Sequence, residues 1–194
     1  KQFLGKQALY DETVEWFKSL PLFYETENYR VVHATWEENA IKYLKENTDK
    51  GVLKEQQYFN LIDQKSDLFK AIEITCKGKE RKLPEGKSFL DKDGTERTNI
   101  RIKWWLNPSK TSLKEISLLE NLGLSDEILE SEHLGYYDEF QLPVFFGHYW
   151  LKGAPNLYRN NICCLDYSVA KNGFLCAYRY SGEPQLLSEN LVYV

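Results

Sequence analysis

Two of the three histidines, His33 and His148, stand where an imidazole could do chemistry. Each follows an apolar run typical of a β-strand, Arg-Val-Val-His-Ala for the first and Pro-Val-Phe-Phe-Gly-His for the second. A strand fixes the Cα position while the loop after it leaves the side chain free to bind a ligand. Since neutral imidazole is the commonest metal ligand, the pattern indicates a metal site. Hydrogen-bonded structural histidines are the alternative.

Three further polar residues could assist such a site. Asp166 follows another apolar strand run and could accept a hydrogen bond from a metal-bound imidazole, or it could cap a turn. Arg179 and Arg30 could bind phosphate in a bidentate manner, or they could be ordinary packed or solvated side chains. The aromatic pairs at 104–105, 136–137 and 149–150 could stack on a nucleobase, although pairs of this kind more often pack in cores and at their rims.

Other residues with reactive side chains favour structural roles. Cys163 and Cys164 stand in an apolar strand run without a basic neighbour, so we expect buried, unreactive thiols. No Cys-x-x-Cys occurs, and reduced thiols fit a cytoplasmic protein. His133 lies in the polar stretch Glu-Ser-Glu-His, which predicts a surface histidine. The stretch Asp-Lys-Asp-Gly at 91–94 predicts a hairpin turn rather than a calcium loop, because the later acidic ligands do not follow.

The elements that must position these groups can be read from the apolar periodicity. It predicts helices early in the chain and strands late. The predicted helices cover residues 11–20, 37–47, 54–74 and 111–122. The predicted strands cover residues 22–25 and 29–33 as a hairpin, 83–90 and 101–105 as a second hairpin, and 143–146, 161–167, 174–180 and 191–194.

Composition excludes several classes of protein. The 25 Lys and Arg against 29 Asp and Glu give a net charge of −4, without the basic patch typical of nucleic-acid binding. The most apolar stretch, residues 142–151, is far shorter than the ~20 residues that span a bilayer, so we expect no membrane partner. The 194 residues contain neither a repeat nor a linker, which predicts one domain.

Five short segments, taken in order, resemble the carboxyl-terminal half of calcineurin-like metallophosphatases. The nearest branch looks like the bacterial serine/threonine protein phosphatases and the symmetrical dinucleoside tetraphosphatases. The segments are Glu-Trp-Phe-Lys-Ser-Leu-Pro-Leu at 15–22, Arg-Val-Val-His-Ala at 30–34 with Trp36, Pro-Val-Phe-Phe-Gly-His-Tyr-Trp at 143–150, Cys-Leu-Asp-Tyr at 164–167 and Gly-Phe-Leu-Cys-Ala-Tyr-Arg at 173–179.

The resemblance implies an α+β fold with a mixed β-sheet and flanking helices. This would be the second half of an α/β/β/α metallophosphatase sandwich over residues 1–194, with a helical insertion at about 40–140. It also implies a centre of two divalent or transition-metal ions, Mn, Fe or Zn, for which His33 and His148 match the two ligands from this half of the domain. Asp166 and Arg179 match supporting positions. The generic branch continues Gly-His-x-His, whereas this chain has Gly147-His148-Tyr149-Trp150, which favours the protein-phosphatase-like branch.

The family's other motifs do not occur in the chain, which contains no Asp-x-His, Gly-Asp-x-x-Asp or Gly-Asn-His. We therefore expect an amino-terminal half upstream of residue 1, and we expect this chain alone to be inactive. The expected function is metal-dependent hydrolysis of a phosphoester on a protein or small molecule. Hydrolysis of a dinucleoside polyphosphate is an alternative. A non-catalytic binding module on the same sandwich is an alternative from another class.

Overall fold

The centre of the structure, a computed structural model describing residues 3–91, 93–127 and 135–194, is a mixed four-stranded sheet in the order β1-β2-β7-β8. Strand β1 (Phe23–Glu25) pairs antiparallel with β2 (Arg30–Val32), and β2, β7 (Val144–Phe146) and β8 (Ile162–Cys164) run parallel. All residues of β7 and β8 are buried, in keeping with strands covered on both faces. The predicted mixed sheet and the α+β class are confirmed.

The remaining strands form small antiparallel sheets around this centre. Strands β9 (Asp166–Tyr167), β10 (Phe174–Tyr178) and β11 (Leu191–Tyr193) form a three-stranded sheet in the order β11-β10-β9. The predicted second hairpin is two nested pairs. The outer pair joins β3 (Glu80–Lys82) to β6 (Asn99–Arg101), and the inner pair joins β4 (Phe89–Leu90) to β5 (Glu96–Arg97).

Helices α2 (Glu38–Asn47) and α4 (Asp67–Lys77) are the long helices that pack on the sheet. Each begins where a side chain accepts a backbone N–H, Glu37 from Ala40 and Ser66 from Phe69. Each buries an apolar stripe in the same core as the central strands. Described residues of the predicted insertion at about 40–140 therefore contribute directly to the main core. A second, smaller core lies beneath the nested hairpins and comprises Leu83, Ile100, Ile102, Leu113, Ile116 and Leu124.

Three helix predictions were wrong in extent. The first helix, α1 (Gln7–Ser19), begins before the predicted cap at Asp11, and Lys6 precedes it without a side-chain cap. The predicted helix at 54–74 is broken into α3 (Glu55–Asn60) and α4 because Ser66 caps a new helix. The predicted helix at 111–122 is one turn, α5 (Leu113–Ile116), closed by a capping box between Ser112 and Glu115. Short 3-10 turns cover Pro108–Lys110, Val169–Lys171 and Ser188–Asn190.

No helix within the described part of the chain combines the length and the apolar character that crossing a bilayer requires.

Candidate metal centre

Three polar side chains lie at the carboxyl ends of three adjacent parallel strands. His33 directly follows β2, His148 is the second residue after β7, and Asp166 is the second after β8. Parallel strands end at the same edge of a sheet, which brings these residues together. The loops are joined where the Gly147 N–H donates to the His33 carbonyl over 2.9 Å. The strand-end positions read from the sequence thus converge in space.

The two imidazoles face each other. His33 Nε2 lies 3.1 Å from His148 Nδ1, and the ring centroids are 4.9 Å apart. The His33 ring is exposed to solvent and that of His148 is half-buried. Two nitrogens bound to one ion at about 2.0–2.1 Å each stand about 2.9–3.4 Å apart in octahedral or tetrahedral geometry. The observed separation therefore fits both a ring-to-ring hydrogen bond and two ligands of one ion.

The loop that carries His148 has an unusual backbone. His148 and Trp150 both have positive φ angles, 67° and 48°, which non-glycine residues seldom adopt. Asp166 supports this loop, because its Oδ2 accepts the Trp150 N–H over 3.2 Å and its Oδ1 accepts the Ser168 N–H over 3.1 Å. The carboxylate of Asp166 thus caps backbone turns, as in the structural alternative, and orients the histidine loop through its backbone.

Two positively charged side chains from the segment between β2 and β7 lie near His148. Arg101 Nη1 is 3.5 Å from the His148 carbonyl oxygen, and Lys77 borders the same cleft as the histidines. Burial, then the charges of Arg101 and His33, lower the pKa of His148 below its ordinary value, against the opposing effect of Asp166. The His148 ring is therefore neutral at physiological pH, which is the form that binds a metal ion.

An open cleft of ≈980 Å³ borders the histidine pair. His33, His148 and Asp166 lie on its polar side, and most of its remaining surface is apolar. Phe17 of α1, Tyr24 of β1 and Trp150 line it with side chains that are 57%, 52% and 52% exposed. Three aromatic side chains that are each more than half exposed leave a large apolar surface in contact with solvent.

The two arginines considered as phosphate ligands lie away from the histidines. Arg30 begins β2, at the opposite edge of the sheet, where Glu25 and Glu38 pair with it. Arg179 follows β10 with an exposed side chain and does not line the cleft. The structure therefore does not place Arg179 at the site, where it was expected in a supporting role. Arg30 has a structural role.

The other candidates divide between core and surface. Trp104, Trp105, Tyr137 and Tyr149 are buried, whereas Trp150 is exposed at the cleft. The cysteines are free, and Cys163 and Cys164 are buried, as predicted. Burial raises the pKa of the Cys164 thiol to about 12, so it is not a thiolate nucleophile. At the predicted turn, Asp91 accepts the N–H groups of Asp93 and Thr95. His133 lies outside the described residues.

Sequence reasoning missed Arg101, Lys77 and Thr35. Arg101 was assigned only to a strand and Lys77 lay beyond the predicted helix at 54–74, and each is far from His148 along the chain. Thr35 stands two residues after His33, and its hydroxyl oxygen is 3.1 Å from that of Tyr149. The short distance from Thr35 to His33 in the sequence was the one signal that could have identified any of these residues.

The ligand set within the described residues is incomplete for a closed metal site. In residues 3–91, 93–127 and 135–194, no group of three or more His, Cys, Asp or Glu side chains is arranged to hold a metal ion. Comparison of the chain with protein-family models, with curated proteins and with solved structures finds no match.

Proposed function

We propose that this chain is the carboxyl-terminal half of a metal-dependent phosphoester hydrolase of the calcineurin-like type. His33 and His148 would hold one of two divalent or transition-metal ions, Mn, Fe or Zn. The observation that carries the proposal is the convergence of these two rings, with a nitrogen separation of 3.1 Å, at the carboxyl edge of three parallel strands. The substrate would be a phosphorylated protein or a phosphorylated small molecule.

The side chains present are suited to an ion in this position. The two nitrogens have a separation that one coordination sphere accepts, and the lowered pKa of His148 favours the neutral ring, in which one nitrogen carries no proton. When bound, the ions would supply Lewis-acid stabilisation of the phosphate oxygens. Arg101 and Lys77 would contribute positive charge near the same place, which favours an anionic substrate.

We propose that the remaining metal ligands come from an amino-terminal half of the same protein. Support for this comes from the surface beside the histidines. Helix α1 has no buried residue, with Trp16 and Phe17 more than half exposed, and Tyr24 and Val31 lie exposed on the neighbouring face of the sheet. An apolar surface of this extent indicates a face that packs against another part of a protein. In this arrangement the described chain alone is inactive.

Hydrolysis of a dinucleoside polyphosphate is a second candidate, favoured by the Trp150 ring. That ring is 52% exposed, lines the cleft and lies 4.4 Å from the Lys171 ammonium group. Indole and cation together could stack on a base and attract a phosphate. The non-catalytic binding module is favoured by the same apolar cleft. We also place the protein in the cytoplasm, since free cysteines fit a reducing compartment.

Metal titration of the 194-residue chain tests the shared ion. We expect Zn²⁺ or Mn²⁺ to bind one site measured by calorimetry, and both His33→Asn and His148→Asn to abolish the binding. His133→Asn is the matched control and should bind as the unchanged chain does. Binding that survives both substitutions would remove the histidine pair from the proposal.

Catalysis is tested on the protein that includes the proposed upstream half. It should contain two metal ions by elemental analysis and should hydrolyse p-nitrophenyl phosphate, with activity lost in His148→Asn. A dinucleoside polyphosphate hydrolysed in preference to a phosphopeptide would select the second candidate. A folded, metal-free protein without hydrolytic activity would select the binding module.

A further inference from the structure

The side chain of Tyr149 connects the two loops that carry the histidines. Tyr149 directly follows His148, and its hydroxyl lies 3.1 Å from the hydroxyl of Thr35, which stands two residues after His33. The side-chain contact therefore joins the same two loops as the backbone bond from Gly147 to His33. Because the backbone bond and the side-chain contact join the loops at different residues, together they fix both the separation and the relative orientation of the loops.

The Thr35 end of this connection is held in place. Thr35 is 1% exposed, and its N–H donates to the Thr75 carbonyl of α4 over 3.3 Å. Its hydroxyl oxygen accepts the backbone N–H of Lys79 over 3.2 Å. Because the hydroxyl has one proton and two lone pairs, it can serve Lys79 and Tyr149 together. The segment after α4 thus fixes Thr35, and Thr35 in turn fixes the hydroxyl of Tyr149.

The ring of Tyr149 is held just as firmly. The residue is 3% exposed, its ring centroid lies 4.9 Å from that of Trp105 and 5.5 Å from that of Phe146, and the Arg101 guanidinium lies 5.8 Å from it. The chain passes close by at Gly78, where an added Cβ would stand 2.8 Å from the Tyr149 hydroxyl oxygen. No side chain other than hydrogen fits between α4 and this hydroxyl.

The backbone on both sides of Tyr149 needs such an anchor. His148 and Trp150 have positive φ angles of 67° and 48°, and non-glycine residues remain in that region only where the surroundings determine it. His148 is half-buried and Trp150 is exposed, so neither flanking ring is enclosed by the core. Tyr149 is the enclosed residue of the three, so its buried side chain is the one that can hold this backbone in place.

We propose that Tyr149 and Thr35 are positioning residues that set the separation of His33 and His148, so that both rings can bind one ion. This inference rests on the proposed function in naming the ion. The placement of the rings themselves is a separate consequence that needs no metal. If the Tyr149–Thr35 contact only stabilised the fold, its removal would lower stability and leave the rings where they are.

The experiment compares Tyr149→Phe with a matched control, Tyr167→Phe. Tyr167 is also a buried tyrosine, 2% exposed, and its hydroxyl exchanges hydrogen bonds with the backbone of Asn156. Each variant therefore loses one buried hydroxyl and its bonds. Two readouts are taken on the 194-residue chain: the ¹⁵N shifts of the imidazoles without metal, and the Co²⁺ affinity. With three histidines in the sequence, the imidazole signals can be assigned from the His→Asn variants.

We expect Tyr149→Phe to shift the ¹⁵N signals of His33 and His148 towards those of free, tautomer-averaged histidine. We also expect it to weaken Co²⁺ binding about tenfold, the lower end of what the loss of an outer partner of a metal ligand costs. Tyr167→Phe should leave both readouts as in the unchanged chain. Unchanged imidazole signals in Tyr149→Phe, or equal changes in the two variants, would overturn the proposal.

A pair of substitutions at Thr35 provides rescue. Thr35→Ser keeps the hydroxyl and should retain the imidazole shifts and the Co²⁺ affinity, whereas Thr35→Val should reproduce Tyr149→Phe. A Thr35→Ser variant that behaves as Thr35→Val does would contradict the role of the hydroxyl. If the unchanged chain binds no Co²⁺, the proposed function fails, and the metal-free imidazole shifts still decide whether Tyr149 positions the rings.

Discussion

The two edges of the central parallel strands differ in how their polar groups are satisfied. At the amino edge the Arg30 guanidinium bonds to four side chains through Nε and Nη1 and stacks 4.8 Å from the Trp36 ring. Its bonds run from Nε to Glu25 over 2.8 Å and from Nη1 to Glu38, Tyr137 and Gln141 over 3.0–3.1 Å. At the carboxyl edge the rings of His33 and His148 meet each other, and Asp166 bonds to backbone instead.

This difference separates a structural edge from an edge available to a ligand. A charge enclosed by several partners contributes to the fold, and removing it leaves those partners unsatisfied. The two imidazole nitrogens at the carboxyl edge face each other beside an open cleft, and under the proposed function an ion would take the place of the proton between them. Backbone strain also distinguishes the carboxyl edge, because His148 and Trp150, which have positive φ angles, both lie there.

The largest effect on stability is expected at the amino edge. Arg30→Met keeps much of the aliphatic stem and removes the guanidinium, leaving Glu25, with a side chain 22% exposed, short of a partner. We expect the free energy of unfolding to fall by about 2–4 kcal/mol, somewhat less than for fully buried pairs. Urea denaturation followed by circular dichroism measures it.

Lys18→Met is the matched control for that loss. Lys18 pairs with Glu15 and Glu55, whose side chains are 69% and 70% exposed, and such surface pairs contribute below about 1 kcal/mol. If the two substitutions cost the same, the enclosed network around Arg30 would have no special structural role, and the contrast between the edges would be lost.

The next effect tests the packing behind the histidines. Gly78 has a φ of 101°, and an added Cβ would stand 2.8 Å from the Tyr149 hydroxyl and 3.0 Å from Arg101 Cδ. Gly86 has a φ of 76° and no atom within 4 Å of an added Cβ. We expect Gly78→Ala to cost about 1–3 kcal/mol, more than Gly86→Ala, for which about 1 kcal/mol of backbone strain is expected.

The same pair of variants should differ at the metal site. Gly78→Ala displaces Tyr149 and should weaken Co²⁺ binding, while Gly86→Ala should leave it unchanged. Urea denaturation and a Co²⁺ titration of each variant give both quantities. Equal affinities in the two variants would show that contacts behind Tyr149 do not reach the histidines.

A smaller effect is expected from the histidine itself. His148→Asn removes the imidazole and keeps a residue type that tolerates a positive φ. We expect the free energy of unfolding, measured with a chelator present, to change by less than about 0.5 kcal/mol. A loss as large as that of Arg30→Met would mean that the histidine pair holds the edge together as Arg30 does.

The sequence predicted the strand ends better than it predicted the helices. The apolar runs before His33 and His148 are short, continuous and followed by loops, and strands β2 and β7 lie where these runs predict. The convergence of the rings follows from parallel pairing of neighbouring strands, which the sequence suggests only through the resemblance. The helix at 54–74 was overextended because its periodicity continues through Asp63 and Ser66, where a local cap starts a new helix.

What the sequence could not supply are the contacts across the fold. Arg101 reaches the His148 carbonyl from β6, and Tyr149 reaches Thr35 from the opposite loop. Both contacts depend on how α4 and the nested hairpins pack on the sheet, since no spacing along the chain encodes them. Arg179 matched a position of the resembled family and still lies away from the cleft, because short motifs fix local structure better than they fix function.

The smallest expected effect is a change in the free energy of unfolding with pH, which should occur in a different pH range at each edge. Burial, Arg101 and His33 lower the pKa of His148 from 6.5, so the unfolded chain binds a proton there more readily than the folded chain does. The chain should therefore lose stability relative to His148→Asn as the pH falls through 6.5, and the difference should be constant above about pH 7.5. Urea midpoints of both proteins between pH 8 and 5, with a chelator present, measure it.

The stability contributed by Glu25 at the amino edge should change over a more acidic pH range. Burial alone would raise the pKa of Glu25, but its bonds from Lys45 and Arg30 outweigh burial and lower the pKa from 4.5. The stability that this carboxylate contributes is complete above 4.5 and is lost as the pH falls through the folded pKa. The advantage of the unchanged chain over Glu25→Gln should accordingly hold from pH 8 to 5 and shrink in more acidic buffers. A Glu25→Gln difference that changes near pH 6.5, or a His148→Asn difference that changes only below pH 4.5, would mean that the groups at the two edges are not independent, because each window belongs to the group at its own edge.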